Sequence, residues 1–379
     1  MLTKRKYKQF FESAGPNQLF FRYFCVMDEL YYQAVDLLKK LISTPSVSRD
    51  EATAASVIEE FIKSRGINTS RKGNNVWATA PDFAPEKPTL LLNSHIDTVR
   101  PNDGWTRDPY SPDEDDEGRL YGLGSNDAGA SVVSLLAAFL YMCQKPRVYN
   151  LVFLASCEEE VSGREGIESA IPLLPPIDAA IVGEPTGMRP AIAEKGLMVL
   201  DIEVDGKAGH AARNEGINAI YRAIPVIERL RTFSFPKESE TLGPVKISIT
   251  QIEAGTQHNI VPPLCRMVAD IRTTDAYSNE ETLRILREAV PECRMTPRST
   301  RLNPSCISAG HPIVRRLSMM GYEPFGSPTL SDQALMPWPS VKAGPGDSSR
   351  SHSADEYIYL SEIREAIAVY IQVLSGLTL

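Results

Sequence analysis

Apolar residues recur along the chain in two kinds of pattern, one typical of helices and one typical of buried strands. Helical spacing predicts a helix from Leu30 to Ser43, which Pro45 stops, and a second helix over Glu51 to Ser64. Short continuous apolar runs predict three buried strands, at 89–93, 149–156 and 179–183. The segment 128–143 is apolar nearly all round, which predicts a buried helix. Strands that alternate with helices predict an α/β fold, with a mixed sheet that carries helices on both faces.

The middle of the chain changes to strands in which apolar and polar residues alternate. Such strands are predicted at 198–204, 245–252 and 266–272, and helices are predicted at 218–231 and 279–289. This order is typical of a small ferredoxin-like α+β domain with one antiparallel sheet. The chain then returns to the first pattern, with a strand at 340–343 and a helix at 360–374. We therefore expect one domain built from residues 27–195 and 303–379, interrupted by an inserted domain, residues 196–302.

The first 26 residues differ in charge from the rest, since they carry five basic residues and one acidic residue. A secretory signal needs an unbroken apolar core, whereas the apolar stretch from Leu19 to Val26 is short and is interrupted by Arg22. We interpret residues 1–26 as a non-structural extension and expect the folded chain to begin near Met27.

Composition narrows the classes of function. Of the 379 residues, 42% are hydrophobic and 23% are charged, values typical of a globular protein, and this length predicts two domains. A net charge of −8, without a basic cluster in the body of the chain, argues against nucleic acid as a partner. No apolar run is long enough to span a membrane. Six widely spaced cysteines without a C-x-x-C pair favour a reduced, cytoplasmic protein with buried thiols.

Histidine and carboxylate side chains occur where the predicted strands end. They are His95 after the first strand, Glu158–Glu160 and Glu184 after the next two, Asp127 before the buried helix, and His352 beyond the strand at 340–343. In open α/β sheets, ligands bind at the carboxyl ends of strands. Any one of these residues reads equally well as a surface acid or a helix cap. Together they indicate a metal site, because two histidines and three carboxylates cannot crowd one rim without compensating charge.

The charges of this donor set favour two zinc ions. The carboxylates of Asp127, Glu160 and Glu184, with one hydroxide, balance two Zn²⁺ ions. Two-metal hydrolytic sites of this kind place the ions ~3.5–4 Å apart. Mixed histidine and carboxylate ligands suit zinc, with cobalt or manganese as substitutes.

Several short motifs, each weak alone, occur together and in a specific order. They are SHIDTV at 94–99, Trp105 with DPY at 108–110, GLGSND at 122–127, EEE at 158–160, GEPT at 183–186, GKAGH at 206–210, NIVP at 259–262, DIR at 270–272, and GPG at 344–346 leading to His352 and Asp355-Glu356. On these motifs the chain, from about Leu30 to its end, resembles the metal-dependent amidohydrolase family that includes acetylornithine deacetylase, succinyl-diaminopimelate desuccinylase, aminoacylase and glutamate carboxypeptidase. Its overall pattern is most similar to that of acetylornithine deacetylase.

The resemblance implies roles for the residues at the strand ends. One metal is held by His95 and Glu184, the other by Glu160 and His352, and Asp127 bridges them. Asp97 orients His95 through its other ring nitrogen. In the acidic run, Glu158 takes the place of the family's aspartate, so Glu159 becomes the general base. The family also implies a zinc-peptidase-like fold and a cis peptide bond between Asp127 and Ala128.

The resemblance also implies roles for the inserted domain. It forms a homodimer in the family, so we expect His210 to reach the partner's catalytic site, while Asn259 and Arg272 grip the substrate carboxylate. The residues after His210, at 211–215, lack the proline that the family usually shows.

Three basic residues near the motifs are candidates for pairing with a succinyl carboxylate: Lys195, Arg213 and Arg350. The plainer interpretation of Arg213 is an exposed arginine that pairs with Glu215. His258 has no role in the motifs, and His311, which precedes Pro312, is expected to cap a helix.

The resemblance predicts a dinuclear zinc hydrolase that acts on a small N-acyl amino acid. The first expectation is release of ornithine from N-acetylornithine or N-succinylornithine in arginine biosynthesis. The alternatives are a succinyl-diaminopimelate desuccinylase, or an aminoacylase or dipeptidase on the same scaffold. A non-catalytic metal-binding module is disfavoured, since neither a ligand nor the base is missing.

Overall fold

The computed structural model describes residues 16–213 and 215–379. The helices of this part of the chain are α1 (Pro16–Ile42), α2 (Ala52–Ser64), α3 (Ala130–Met142), α4 (Ile167–Ala170), α5 (Ala219–Thr232), α6 (Asn279–Ala289), α7 (Pro312–Met319) and α8 (Leu360–Leu374). The strands from the first to the seventh are β1 (Ser70–Lys72), β2 (Asn75–Thr79), β3 (Thr89–His95), β4 (Arg119–Tyr121), β5 (Asn150–Ser156), β6 (Ala179–Val182) and β7 (Ala191–Glu194). The remaining strands are β8 (Gly196–Asp205), β9 (Lys246–Ala254), β10 (Leu264–Thr273), β11 (Arg294–Pro297), β12 (Ser305–Cys306), β13 (Phe325–Ser327), β14 (Ser340–Lys342) and β15 (Tyr357–Tyr359).

The chain divides into two compact units. The first comprises Met1–Ala170, Gly183–Met188 and Ala343–Leu379, and the second comprises Ile171–Val182 and Arg189–Lys342. The strands and helices predicted from apolar patterns all form, which confirms the α/β class with a mixed sheet. The domain boundaries at 195/196 and 302/303 remain predictions.

The first unit holds a mixed sheet with helices packed on it. Its strands lie in the order β1-β2-β5-β3, with β3 parallel to β5 and the other neighbours antiparallel. Every residue of β3 and β5 is buried, which explains their continuous apolar runs. Helix α3 packs on both strands and also contacts α1 and α8, so it is apolar nearly all round.

The helix predicted at 128–143 begins later than expected, at Ala130. Residues Ser125–Gly129 form a wide turn in which Asp127 and Ala128 have non-helical backbone angles. Asp127 therefore lies in this turn and not at the start of a helix.

The second unit contains an antiparallel sheet of order β11-β8-β10-β9 with helices α5 and α6. The element order β8-α5-β9-β10-α6-β11 is that of a split βαβ fold. The last strand, β11, is absent from the pattern analysis because its four residues carry one buried apolar side chain, Met295. The unit's other strands lie in the order β6-β14-β7-β12, with β13 beside β7.

Helix α1 begins at Pro16, so the boundary expected near Met27 falls inside a helix. The rest of the predicted extension, residues 1–15, lies outside the described residues. Across residues 16–213 and 215–379, none of the helices is both long and apolar enough to cross a bilayer. Cys157 and Cys265 are buried as expected, whereas Cys306 is exposed.

Candidate metal centre

The first unit brings the five predicted ligands to one place, each on a different segment. His95 is the last residue of β3, and Glu160 lies just beyond the end of β5. Asp127 lies in the wide turn before α3, and Glu184 belongs to the segment Gly183–Met188. His352 has a left-handed backbone (φ 58°), which a non-glycine residue keeps only when its surroundings hold it.

Asp127 lies between the two histidines, and each of its oxygens faces one of them. Its Oδ1 is 3.2 Å from His95 Nε2, and its Oδ2 is 3.7 Å from His352 Nε2. Glu184 Oε1 is 3.6 Å from His95 Nε2, and Glu160 Oε2 is 2.9 Å from His352 Nε2. The groups therefore sort into two sets that share Asp127, as the predicted two-metal arrangement requires. The assignment of these residues as ligands stays a prediction.

His95 is held through its second ring nitrogen by the backbone of Asp97. His95 Nδ1 lies 2.9 Å from the Asp97 carbonyl oxygen and 3.5 Å from the Asp97 carboxylate. The carbonyl of Asp97 is thus the nearer acceptor for His95 Nδ1, and the orienting role of its carboxylate stays a prediction. In a neutral ring with Nδ1 as the donor, Nε2 would carry the lone pair that a metal ion needs, on the side that faces Asp127 and Glu184.

The charges around both histidines favour the protonated ring. Burial alone would lower the pKa of His95, but its contacts with Asp127 and Asp97 and the charge of Glu184 hold it well above 6.5. The contact with Glu160 raises the pKa of His352 to about 9. A site that binds protons this strongly has excess negative charge, which divalent cations would also neutralise.

The burial, spacing and chemical type of the donor atoms all suit a pair of metal ions. The side chains of Asp127 and Glu184 are each 12% exposed and that of Glu160 is 8% exposed, so their charges are largely removed from water. Ligand atoms of His95, Asp127 and Glu160 lie within 4.8 Å of one another. Convergent imidazole nitrogens and carboxylate oxygens suit zinc, cobalt or manganese.

A buried carboxylate supports the turn that carries Asp127. Glu356 accepts hydrogen bonds from the backbone N–H groups of Gly124, Asn126 and Asp127 at 2.8–3.0 Å. Burial and the charge of Asp127 raise the pKa of Glu356 to about 8. The expected cis peptide bond between Asp127 and Ala128 is present in this turn.

Within the acidic run, the side chains of Glu158 and Glu159 have different surroundings. The charge of Glu159 contributes to the raised pKa of His95, which places its carboxylate near the candidate metal site. Burial and the nearby charge of Glu51 raise the pKa of Glu158, whose surroundings include Arg49 and Glu165. The two side chains thus have different surroundings, and the assignment of Glu159 as the general base stays a prediction.

Two of the predicted residues of the second unit lie together. His210 pairs with Ile260 in a short β-bridge, and the backbone carbonyl of Asn259 accepts a hydrogen bond from the Ala211 N–H at 3.0 Å. His210 is exposed, and its Nδ1 accepts from the Ala212 N–H at 3.2 Å. This contact leaves Nε2–H as a donor, which suits the stabilisation of an oxyanion.

Arg272 lies on a different segment of the second unit, near the end of β10. Its guanidinium pairs with Asp270 on the same strand at 2.8 Å. Whether it grips a substrate carboxylate stays a prediction.

The three candidate partners of a succinyl group differ in their surroundings. Arg350 binds both oxygens of Glu362, at 2.7 and 2.8 Å, so its guanidinium is already paired within the first unit. Arg213 is largely exposed and lies 3.8 Å from Glu215, as the plainer interpretation expects. The Lys195 N–H donates to the Ser327 carbonyl in the second unit.

The remaining histidines have minor roles. His311 accepts the Ile313 N–H at 3.4 Å at the start of α7, which confirms it as a cap. His258 is exposed.

Sequence reasoning missed several supporting residues. Glu356 appears only as part of a motif, and Glu51 reads as an ordinary acid at a helix start. Their burial, at 2% and 0% exposure, is the signal, and it becomes visible only in the folded chain.

Comparisons with known proteins identify the family. The model of peptidase family M20/M25/M40 matches residues 91–376. A succinyl-diaminopimelate desuccinylase from Nitratiruptor is 29% identical over 268 residues, which are 67% of this chain and 72% of that protein.

Solved structures share the fold at lower identity. Aminopeptidase PepT from Bacillus cereus superimposes with a TM-score of 0.73 at 18% identity, covering 91% of this chain and 98% of that one. A dinuclear metal binding peptidase of the M20 family from Bacillus subtilis gives 0.70 at 15% identity, covering 92% and 100%.

Proposed function

The chain belongs to peptidase family M20/M25/M40, and on that basis we propose that this hydrolase removes the acyl group from an N-acylated diamino acid. The observation that carries the proposal is the position of Asp127 between two histidine–glutamate sets. Such a set of ligands is suited to two divalent ions acting on one amide bond.

In the proposed reaction, two sets of residues would each hold one metal ion. His95 and Glu184 would hold one divalent ion, His352 and Glu160 the other, with Asp127 shared. When bound, the ions supply Lewis acidity, which lowers the pKa of water and polarises the amide carbonyl.

The proton transfers belong to the chain itself. Glu159 accepts a proton from the attacking water, whose oxygen bonds to the amide carbon. Glu159 then returns that proton to the nitrogen as the C–N bond breaks, so that a carboxylate and a free amine leave. His210 donates Nε2–H to the oxygen that becomes negative, and we propose that it does so in the site of a second copy.

The succinyl-diaminopimelate desuccinylase relative supports N-succinyl-diaminopimelate as the first substrate to test. It favours this alternative over the ornithine derivatives expected from the motif pattern. N-acetylornithine and N-succinylornithine, which the motif pattern alone predicted, remain second candidates. A cation would be needed to match a succinyl carboxylate, and Arg213 is exposed enough to serve.

A substrate panel tests the proposal. Zinc-loaded protein is offered N-succinyl-diaminopimelate, N-acetylornithine, N-succinylornithine, dipeptides and tripeptides, and release of free amine is measured. We expect one acyl diamino acid to exceed every peptide in kcat/KM by at least about 100-fold. Glu159→Gln should retain its zinc and lose most turnover, whereas Glu158→Gln should keep a larger share. A preference for peptides, or full activity in Glu159→Gln, contradicts the proposal.

A further inference from the structure

The segment that carries the general base donates four consecutive backbone N–H groups to buried side chains. We name residues 157–160 the base loop. The hydrogen bonds run from Cys157 to Asn75 Oδ1 (3.2 Å), Glu158 to Glu51 Oε1 (3.2 Å), Glu159 to Asp97 Oδ1 (3.0 Å) and Glu160 to Asp97 Oδ2 (3.1 Å). The three acceptor residues are each 0% exposed. Nothing in the local sequence of the base loop requires such a set of acceptors.

Glu51 differs from what its position predicts, because it does not cap the helix that it precedes. It occupies the N-cap position of α2, where a carboxylate usually accepts N–H groups of the first helical turn. Its side chain makes no such capping hydrogen bond. It accepts instead from the N–H of Arg49 (2.6 Å), from Asn74 Nδ2 (2.8 Å) and from Glu158. A buried carboxylate is costly, so these bonds must be kept for the fold to retain it.

The residue that Glu51 holds is itself conformationally restrained. Glu158 has a left-handed backbone (φ 56°), a conformation that a non-glycine residue keeps only when its neighbours fix it. This conformation sets the direction in which the chain proceeds into Glu159. Asn75 fixes the residue before Glu158, since its Oδ1 accepts the Cys157 N–H while its Nδ2 donates to the Glu165 carbonyl (2.7 Å).

We propose that Glu51 is a positioning residue for the general base Glu159. By accepting the Glu158 N–H, it fixes the Cys157–Glu158 peptide and with it the left-handed conformation of Glu158, and so helps to set the distance between the Glu159 carboxylate and the attacking water. This inference rests on the proposed function, in which Glu159 is the base. Misplacement of a reacting group by about 1 Å costs on the order of 100-fold in rate.

Kinetics of three variants test the proposal. Glu51→Ala should lower kcat by about 10- to 100-fold on whichever panel substrate the wild type hydrolyses, with KM changed less than about threefold and zinc per chain unchanged. Glu51→Gln keeps one acceptor oxygen and should recover most of the loss. The matched control is Glu59→Ala, which removes a carboxylate of α2 that pairs with Lys63 and Arg71. It should leave kcat at the wild-type value.

Hydrogen exchange gives a readout that does not depend on turnover. In zinc-loaded Glu51→Ala, the amides of the base loop should exchange faster than in the wild type, and in Glu59→Ala they should not. If the wild type hydrolyses nothing in the panel, the proposed function fails, and exchange alone decides whether Glu51 fixes the loop.

Several results overturn the proposal. One is the same kcat in Glu51→Ala as in Glu59→Ala, and another is a kcat loss in Glu51→Ala that follows loss of zinc. A third is unchanged exchange of the base loop. If Glu51→Ala does not fold, Glu51→Asp is used in its place. The shorter aspartate side chain keeps the charge but moves the carboxylate away from the Glu158 N–H. Wild-type kcat in Glu51→Asp, with wild-type exchange, likewise overturns it.

Discussion

At the scale of single residues, Asp97 joins three segments that lie far apart in the sequence. Its carbonyl holds His95, and its carboxylate accepts the N–H groups of Glu159 and Glu160 and the Ser48 hydroxyl (2.7 Å). Although burial opposes ionisation, the contacts with His95 and Ser48 keep the pKa of Asp97 below its usual value. Asp97 is therefore an ionised support on which a predicted metal ligand and the predicted base both rest.

The protonation of the histidines predicts how metal affinity depends on pH. In the metal-free protein the contact with Glu160 raises the pKa of His352 to about 9 and the pKa of His95 is also raised, so both rings hold a proton more strongly than an ordinary imidazole. A metal ion must displace those protons, and each displaced proton weakens binding about tenfold for every pH unit below the ring's pKa. Zinc affinity should therefore rise between pH 6 and pH 8, by up to about 100-fold per unit if two protons leave.

Calorimetry in buffers of different ionisation enthalpy measures this proton release. His352→Ala is the matched variant, because it should reduce the number of protons released by about one at pH 7. A zinc affinity that is constant between pH 6 and pH 8 would contradict the predicted ligand set.

At the scale of elements, the wide turn before α3 is held mainly from outside itself. Its N–H groups bond to Glu356, and Asn126 Nδ2 bonds to the Asp347 carbonyl at 3.1 Å. The Asp347 N–H in turn donates to Asn126 Oδ1 at 3.0 Å. The position of Asp127 thus depends on the segment that also carries His352.

Removal of the Glu356 carboxylate should loosen this turn. Glu356→Ala leaves three buried N–H groups without their acceptor, and an unsatisfied buried group costs about 1–3 kcal/mol. We expect a loss of several kcal/mol in the free energy of unfolding and less zinc per chain, measured by denaturant titration and metal analysis.

Asp355→Ala provides the control for this change. Asp355 also accepts three hydrogen bonds, from the backbone and hydroxyl of Thr106 and from the Arg107 N–H, but these are exposed and water can replace them. A larger loss of stability in Asp355→Ala than in Glu356→Ala would contradict the role assigned to Glu356.

At the scale of the whole molecule, the predicted chemistry is divided between the two units. The five predicted ligands and Glu159 belong to the first unit, while His210, Asn259 and Arg272 belong to the second. Exposed apolar side chains of the second unit, such as Tyr221 (72%) and Ile224 (57%), are suited to an interface with another chain. The homodimer and the exchange of His210 between subunits remain proposals.

Mixing two inactive variants tests that exchange. His210→Ala and Glu159→Gln chains are expected to be nearly inactive alone. After random re-association, about half of the dimers are mixed, and each mixed dimer has one intact site, so about a quarter of wild-type activity should return. Mixed dimers that form and stay inactive would show that His210 does not act in the partner's site.

The sequence by itself determined most of the helices and strands and predicted which side chains would gather at one site. Continuous apolar runs predicted β3 and β5, and alternation predicted β8 and β10, because burial on one or both faces of a strand leaves a periodic signature. The motifs likewise placed His95, Asp127 and His352 near one another. These inferences needed only local patterns and their order along the chain.

The tertiary structure alone decided which polar groups meet across long stretches of sequence. Glu51 reads as an ordinary acid and Arg350 as a candidate partner of a succinyl carboxylate, yet the first is buried against the base loop and the second is paired with Glu362. The local sequence predicted that Asp127 starts a helix. It lies instead in the turn before α3, because that turn is held by Glu356, which is more than 200 residues away. A hydrogen bond between distant segments leaves no periodicity in either of them, so it can be recognised only when the chain is folded.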